Sequence, residues 1–397
     1  MTMQENRNQR HRRRGAAAAL VCVSLVVLVG MASLTVDVAF LYRARAEAQA
    51  AADAAAMAAA WQLMDSDRLT GGSDMTDEMA AARTAAAQYA ALNEIINQNA
   101  ALTDNAGNSS GGDVVVGYLA NPADPTAALQ FGDTSTYNTV QVRVKRDASH
   151  GGPIDLFFAG VFGKTTSDVS AEAYAVFRHD INGFRPDGTN GNAGLLPFTV
   201  NRDAWNQFMA GTLGSGDNYT YDEATGTVSA GSDGISELNI YPGGAAGQLP
   251  PGNFGTVDFG NDGNSTADLA RQIVDGVNEA DVAAMGGEIA LGADGTLVLN
   301  GDTGLSAGIK DELASIIGLP RTIPLFSTVS GNGNNSMFTI TGFVGIRMVY
   351  VKLTGSASSK KVLVQPAFVV DPTGVASSSG APAGDGDFVY RPVELIR

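Results

Sequence analysis

Residues Gly15–Val36 run for 22 positions without a charge, and five arginines (Arg7, Arg10, Arg12, Arg13 and Arg14) precede them against one acid, Glu5. As a helix rising 1.5 Å per residue the run is about 33 Å long, close to the ~30 Å hydrocarbon core of a bilayer. Beyond it the nearest basic residues are Arg43 and Arg45. The excess of arginine on the amino side predicts a cytoplasmic leader at 1–14, a transmembrane helix at 15–36, and an extracytoplasmic remainder. A cleaved secretory signal, with Ala44-Arg45-Ala46 as its small-residue site, is the alternative. Apolar cores of such signals usually run 7–15 residues, shorter than this one, which favours an uncleaved anchor.

Two other processing signals are absent from the residues. Cys22 follows Val21, where bacterial lipidation signals require a small residue. A prepilin cut after Gly15 would carry Glu five positions on, and that position is Leu20. Cys22 is the single cysteine, so no intrachain disulfide can form whatever the compartment.

No glycine or proline interrupts the chain between Gly30 and the alanine-rich stretch that follows the span, and alanine has the highest intrinsic helix propensity. The anchor is therefore expected to continue as a stalk helix over 37–65. On a helical wheel Tyr42, Gln49 and Asp53 fall within 20° of one another and Met57, Ala60 and Met64 extend their stripe, at 100° per residue. The opposite side holds Asp37, Ala44, Ala48, Ala51, Ala55 and Ala59. Small side chains let helix backbones approach closely, so one face is expected to dock on the chain's own globular part and the alanine face on another helix. Asp37, near the outer boundary of the bilayer, either ends the span by reaching the headgroups or pairs with Arg43 of a neighbouring subunit.

This segment resembles the TadG-like amino-terminal region of Flp (tight-adherence) pilus-assembly proteins. The resemblance rests on R-R-G at Arg13–Gly15, the apolar run, V-D-V-A at Val36–Ala39, L-Y at Leu41–Tyr42 and the alanine-aspartate run at Ala46–Ala60. Where such proteins commonly carry Leu-Gln, this chain has Ala48-Gln49. A weaker likeness extends through Ala80–Ala101 and Val114–Phe177, including D-L-F-F-A-G-V-F-G. The resemblance implies an inner-membrane, single-pass structural component of a surface pilus or secretion system, related to minor pseudopilins, with no enzymatic activity and no cofactor. Its implied partners are the lipid bilayer, other pilus-assembly or pseudopilin-like proteins, and a second copy of the chain. Gly15, Asp37, Tyr42, Gln49, Asp53, Ala48, Ala51 and Ala55 are the motif and helix-packing residues.

Patterning divides the rest into a pilin-like α+β unit over 66–180, a linker at 181–195 and a β-rich extracytoplasmic domain over 196–397. The first should hold a turn at 70–73, a helix at Met75–Asn99 with Thr76, Asp77 and Glu78 in its first turn, and strands at Val114–Leu119, Thr139–Lys145 and Val169–Phe177. INGFRPDGTNGNAG at Ile181–Gly194 has the glycine content of a linker. In the second, strands are expected at Leu196–Val200, Gly255–Phe259, Thr296–Asn300, Met337–Tyr350, Lys361–Val370 and Phe388–Ile396, and helices at Thr266–Val277 and Ser306–Ile317. Met337–Tyr350 is long and strongly β-prone and should be central, and 376–387 should be a loop. The fold class is α+β.

Motifs that suggest chemistry fail on spacing. Gly304–Gly308 matches G-x-S-x-G, but His11, His150 and His179 all precede the serine, whereas a hydrolase of that type needs its histidine after it. Gly163-Lys164-Thr165 lacks the earlier glycine of a phosphate loop, that position being Phe158. Asp133–Thr136, Asn105–Asp113 and Asp258–Asp268 are dense in oxygen ligands but read as turns, none matching a known calcium-loop spacing. A formal net charge of −16 and a pI near 4.5 exclude nucleic acid as a partner outside the leader. An anchored module that binds Ca²⁺, cell-wall sugar or another surface ligand is the competing function.

Overall fold

A computed structural model of the chain describes residues 3–64, 69, 74–124, 126–214, 216–241, 254–260, 265–302, 307–331, 333–356, 359–377 and 388–396. The turn expected at 70–73, positions 261–264, Gly304–Ser306 and 378–387 lie outside them.

A single helix, α1 (Met3–Trp61), joins leader, span and stalk without a break. At 1.5 Å per residue its 59 residues extend about 90 Å. The amino-terminal apolar half stands clear of the rest of the chain. Leu20, Val26, Leu28 and Met31 are all exposed, and Cys22 with them. The carboxyl-terminal half is sunk in protein. Ala44, Ala48, Ala51, Ala52, Ala55, Ala56, Ala59, Ala60 and Leu63 are completely buried. One helix thus has two solvents, and the change occurs between Val36 and Ala44.

The buried half lies on a four-stranded antiparallel sheet. Its strands are β1 (Val114–Gly117), β2 (Thr139–Arg146), β3 (Val169–Val176) and a short last strand described below. Val140, Val142 and Val144 alternate inward from β2, and Ala173 and Ala175 from β3, onto the alanines of α1. The second helix, α2 (Thr76–Ala91), adds Ala82, Ala86 and Ala90 to the same core. Alanine against alanine and valine lets α1 approach both neighbours closely, so the core is thin but continuous.

α2 stops at Ala91, earlier than the expected end at Asn99. Asn93 Nδ2 donates to the Tyr89 carbonyl at 2.8 Å, and residues 94–99 turn back through Ile96 (φ 48°) and Asn97 (φ 60°). Left-handed backbone is easily adopted by Asn but strains a β-branched residue.

The strand-rich part contains β4 (Phe198–Asn201), α3 (Arg202–Met209), β5 (Phe254–Val257), α4 (Thr266–Asp275), β6 (Leu297–Asp302), β7 (Pro320–Ser330), β8 (Ser336–Lys352) and β9 (Lys361–Pro366). As expected from its length, β8 is central. It pairs with β7 along one edge and with β6 and then β9 along the other. β5 links β6 to β4, and β4 runs parallel to β7 with Val200 opposite Leu325. Five strands therefore close into a ring. Gly255 and Gly301 face the buried Phe338 ring, which occupies the space a Cβ would need at either position.

Some elements differ from expectation. β7, at 11 residues, was not anticipated, nor was α3, whose Asn201 caps Asp203 and Ala204. Within the stretch expected to be a linker, Ile181–Phe184 is a strand paired with Ile289–Ala290 and Gly374–Ala376. Ser265 accepts from the Asp268 amide as the first half of a capping box, as its spacing implied. Lastly, β10 (Glu394–Leu395) returns to the first sheet and pairs antiparallel with β3 at Ala175–Val176. Phe177 and Tyr390 pack edge to face at 5.4 Å beside this junction. One core cluster runs from Ala44 through Val393.

Candidate functional site at the foot of the stalk helix

Asp37 is the first charged residue after the apolar run. Its carboxylate is buried, and it accepts three backbone N–H bonds, from Phe157 (2.8 Å), Phe158 (2.9 Å) and Ala159 (2.6 Å). Three consecutive amides converge on it because the chain enters a 3-10 turn at Ala159–Phe162, whose first N–H groups have no partner of their own. Neither sequence expectation for Asp37 describes this. Its carboxylate is buried and bonded to a loop of its own chain. Burial disfavours the charged carboxylate, but the three amides outweigh it and hold its pKa below the usual aspartate value. One helical turn further on, Phe40 packs edge to face on Phe157 with ring centroids 5.1 Å apart. Asp37 and Phe40 together pin the 156–163 loop to α1.

Glu47 makes a second clasp. Its Oε2 accepts from the Ile96 amide at 2.7 Å and its Oε1 from Arg43 Nε at 2.8 Å. Desolvation raises the Glu47 pKa, and the Ile96 amide and Arg43 more than offset it, so the net direction is down. The amide it holds belongs to the strained Ile96, so the clasp helps offset the cost of that backbone. Sequence reasoning missed Glu47 and Ile96, which are 49 positions apart, because no local pattern links them.

The remaining sequence-predicted residues fall into three groups. Gln49 and Asp53 come together, with Gln49 Nε2 donating to Asp53 Oδ1 at 2.7 Å and to the Glu172 carbonyl at 3.1 Å, which ties α1 to β3. Tyr42 is 67% exposed and faces away from the core. Ala48, Ala51 and Ala55 were expected to meet another helix, and they are fully buried in the chain's own fold, against β2, β3 and α2. Gly15 lies within α1, in the segment whose side-chain surroundings are outside the described residues.

At the far side of the first sheet, His150 lies between two acids. Its Nε2 is 2.9 Å from Asp113 Oδ2 and 3.0 Å from Thr103 Oγ1, and its Nδ1 is 2.8 Å from Asp147 Oδ1. Lys145 Nζ donates to the other Asp113 oxygen at 2.6 Å. Burial opposes the imidazolium, but Asp147 and Asp113 raise the His150 pKa overall, while burial of Asp113 is outweighed by Lys145 and Thr103 and its pKa falls. This is a structural knot that closes the 147–152 loop. The neighbouring oxygen-rich turn is committed to backbone, with Asn105 bonded to Ser109 and Val114, and Asn108 to Val116. Asp133 caps Ser135 through backbone and hydroxyl, a turn as expected.

Comparison with protein families gives two matches. Residues 15–62 match the family described as Putative Flp pilus-assembly TadE/G-like. Residues 58–175 match the one described as Putative Tad-like Flp pilus-assembly. Together they cover the span, the stalk and the first sheet up to β3, including Asp37 and the loop it holds. No curated protein and no solved structure matches the chain.

Proposed function

We propose that this chain, a Tad-like Flp pilus-assembly protein over residues 15–175, is the membrane-anchored structural component of a Flp-type assembly and works by protein–protein contact. The observation that carries the reading is the two-solvent helix. α1 offers an apolar, exposed segment long enough to cross a bilayer and then becomes the central core element of the head. An element built that way transmits the anchor's position to the head rigidly, with no hinge between membrane and fold. The cytoplasmic side for residues 1–14 and the extracytoplasmic side for the head follow from the arginine bias.

Burial of Ala48, Ala51 and Ala55 inside the subunit changes where partner helices can pack. The surface left for them is the exposed half of α1 together with Tyr42 and its neighbours Arg43, Arg45 and Ala46. Within the bilayer, Gly30 and Ala32 offer small side chains for close approach. The test is affinity purification of the detergent-solubilised full chain from its native membranes, followed by identification of what co-purifies. Recovery of Flp-type assembly proteins, lost on replacing Tyr42 and Ala46 with bulky charged residues, supports the reading. Purification of the chain alone under conditions that retain other membrane complexes would overturn it.

A further inference from the structure

Among the described residues of the head, the loop that Asp37 holds carries a dense set of exposed large apolar side chains. Phe157, Phe158, Val161 and Phe162 are 65%, 42%, 86% and 70% exposed. Four large apolar side chains within six consecutive residues is a patch, unlike a lone surface leucine, and a patch of that kind marks an interaction site. Between Leu156 and Ser167 the only charged residue is Lys164, and Gly163 closes the 3-10 turn with a left-handed backbone (φ 81°).

The position of this patch is fixed by α1. The three amides on Asp37 put it level with the residue immediately following the uncharged run Gly15–Val36. On the same helix face, one turn nearer the amino terminus, Ser33 and Leu34 are half-buried, whereas Val29, Met31 and Val36 are exposed. Cover over α1 therefore reaches past Asp37 into the apolar run itself. If α1 crosses a bilayer, a loop at that height lies in the boundary between headgroups and acyl chains.

We propose that the 156–163 loop is a second membrane contact, with Phe158, Val161 and Phe162 seated in the interfacial layer of the leaflet from which α1 emerges. The occupant of the patch is the lipid bilayer, because the helix that carries the patch is itself the span. Lys164 lies at the edge of the apolar set, where anionic headgroups would attract it. Asp37 remains an internal acceptor that locks the loop at a set height. Two anchoring points separated around the helix would fix the tilt of the head on the membrane, which a single helix cannot do alone. The inference rests on α1 spanning the membrane, and the experiment separates the two.

The full chain is reconstituted into phosphatidylcholine/phosphatidylglycerol vesicles with acyl chains brominated near the glycerol end. Phe162→Trp and, separately, Val161→Trp supply the loop reporters. The native Trp61 and Trp205 belong to the head and define the background in the unsubstituted chain. A fluorophore on Cys22, read in parallel vesicles whose acyl chains are brominated near their midpoint, reports whether α1 itself is inserted. The expected result is blue-shifted emission from both new tryptophans and loss of most of their added fluorescence in brominated vesicles. Added fluorescence that is unquenched at both positions, with the Cys22 probe quenched, overturns the loop contact while leaving the span intact. An unquenched Cys22 probe overturns the span and the loop contact together.

Discussion

A single carboxylate determines how the base of the head is built. Asp37 satisfies three backbone donors that would otherwise be orphaned in a protein environment, so replacing it removes three acceptors at once. Asp37→Ala should release the 156–163 loop, seen as faster amide exchange at Phe157, Phe158 and Ala159 with little change at β2. Protection of those amides equal to that of the unsubstituted chain would contradict the role given to Asp37. Because folding lowers its pKa, the stabilisation from Asp37 is present above the unfolded value of about 3.9 and is lost as pH falls through the lower folded value. His150 has the opposite sign. Its folded pKa is raised, so its contribution is complete below about 6.5 and is lost as pH rises through the elevated folded value. An NMR titration should place the His150 midpoint above that of an unfolded-chain histidine, and Asp147→Asn should bring it back down. An unshifted midpoint in the unsubstituted chain would show that the two acids do not act on the ring.

Among the elements, the buried half of α1 carries the head's stability. Ala51 is completely buried in the core cluster, so Ala51→Leu adds three carbons to a site closed to solvent and should cost about 1–3 kcal/mol. Thermal unfolding of the detergent-solubilised chain by circular dichroism would register the loss, and an unchanged midpoint would mean the contact is looser than described. Gly301→Ala should be comparably harmful, because Phe338 and the Thr256 carbonyl occupy its Cβ position. How far these elements were legible depended on the range of the signal. The span, the stalk and the alanine face could be read because helical periodicity is local. The destination of that face could not, since alanine permits close approach without specifying which backbone approaches. β7 was hidden by Pro320 and Pro324, which argue against a strand, although Pro320 is its first residue and Pro324 precedes an irregular stretch at Leu325–Thr328. Asp37 could be singled out from its position, but its partners lie 120 residues away.

For the whole molecule, the two-solvent helix predicts a distinct labelling pattern. Cys22 is exposed on the isolated chain and is the only cysteine, so it reports its surroundings directly. In sealed vesicles it should resist a membrane-impermeant maleimide from both sides and react once the bilayer is dissolved. Ready labelling before solubilisation would place the mid-region of α1 in water. A separate consequence attaches to β10. If the head is exported in chain order behind an anchor whose amino end stays cytoplasmic, β3 leaves the export channel more than two hundred residues before Glu394–Leu395, the strand that completes its sheet. During that interval the Ala175–Val176 edge stays unpaired, and it is a template for any extended segment nearby. Long-range pairing of this kind slows folding and lengthens the period of risk. The first sheet is therefore a late product of biogenesis, and a waiting period during which a chaperone or an assembly partner could intercept the chain is built into its order of synthesis.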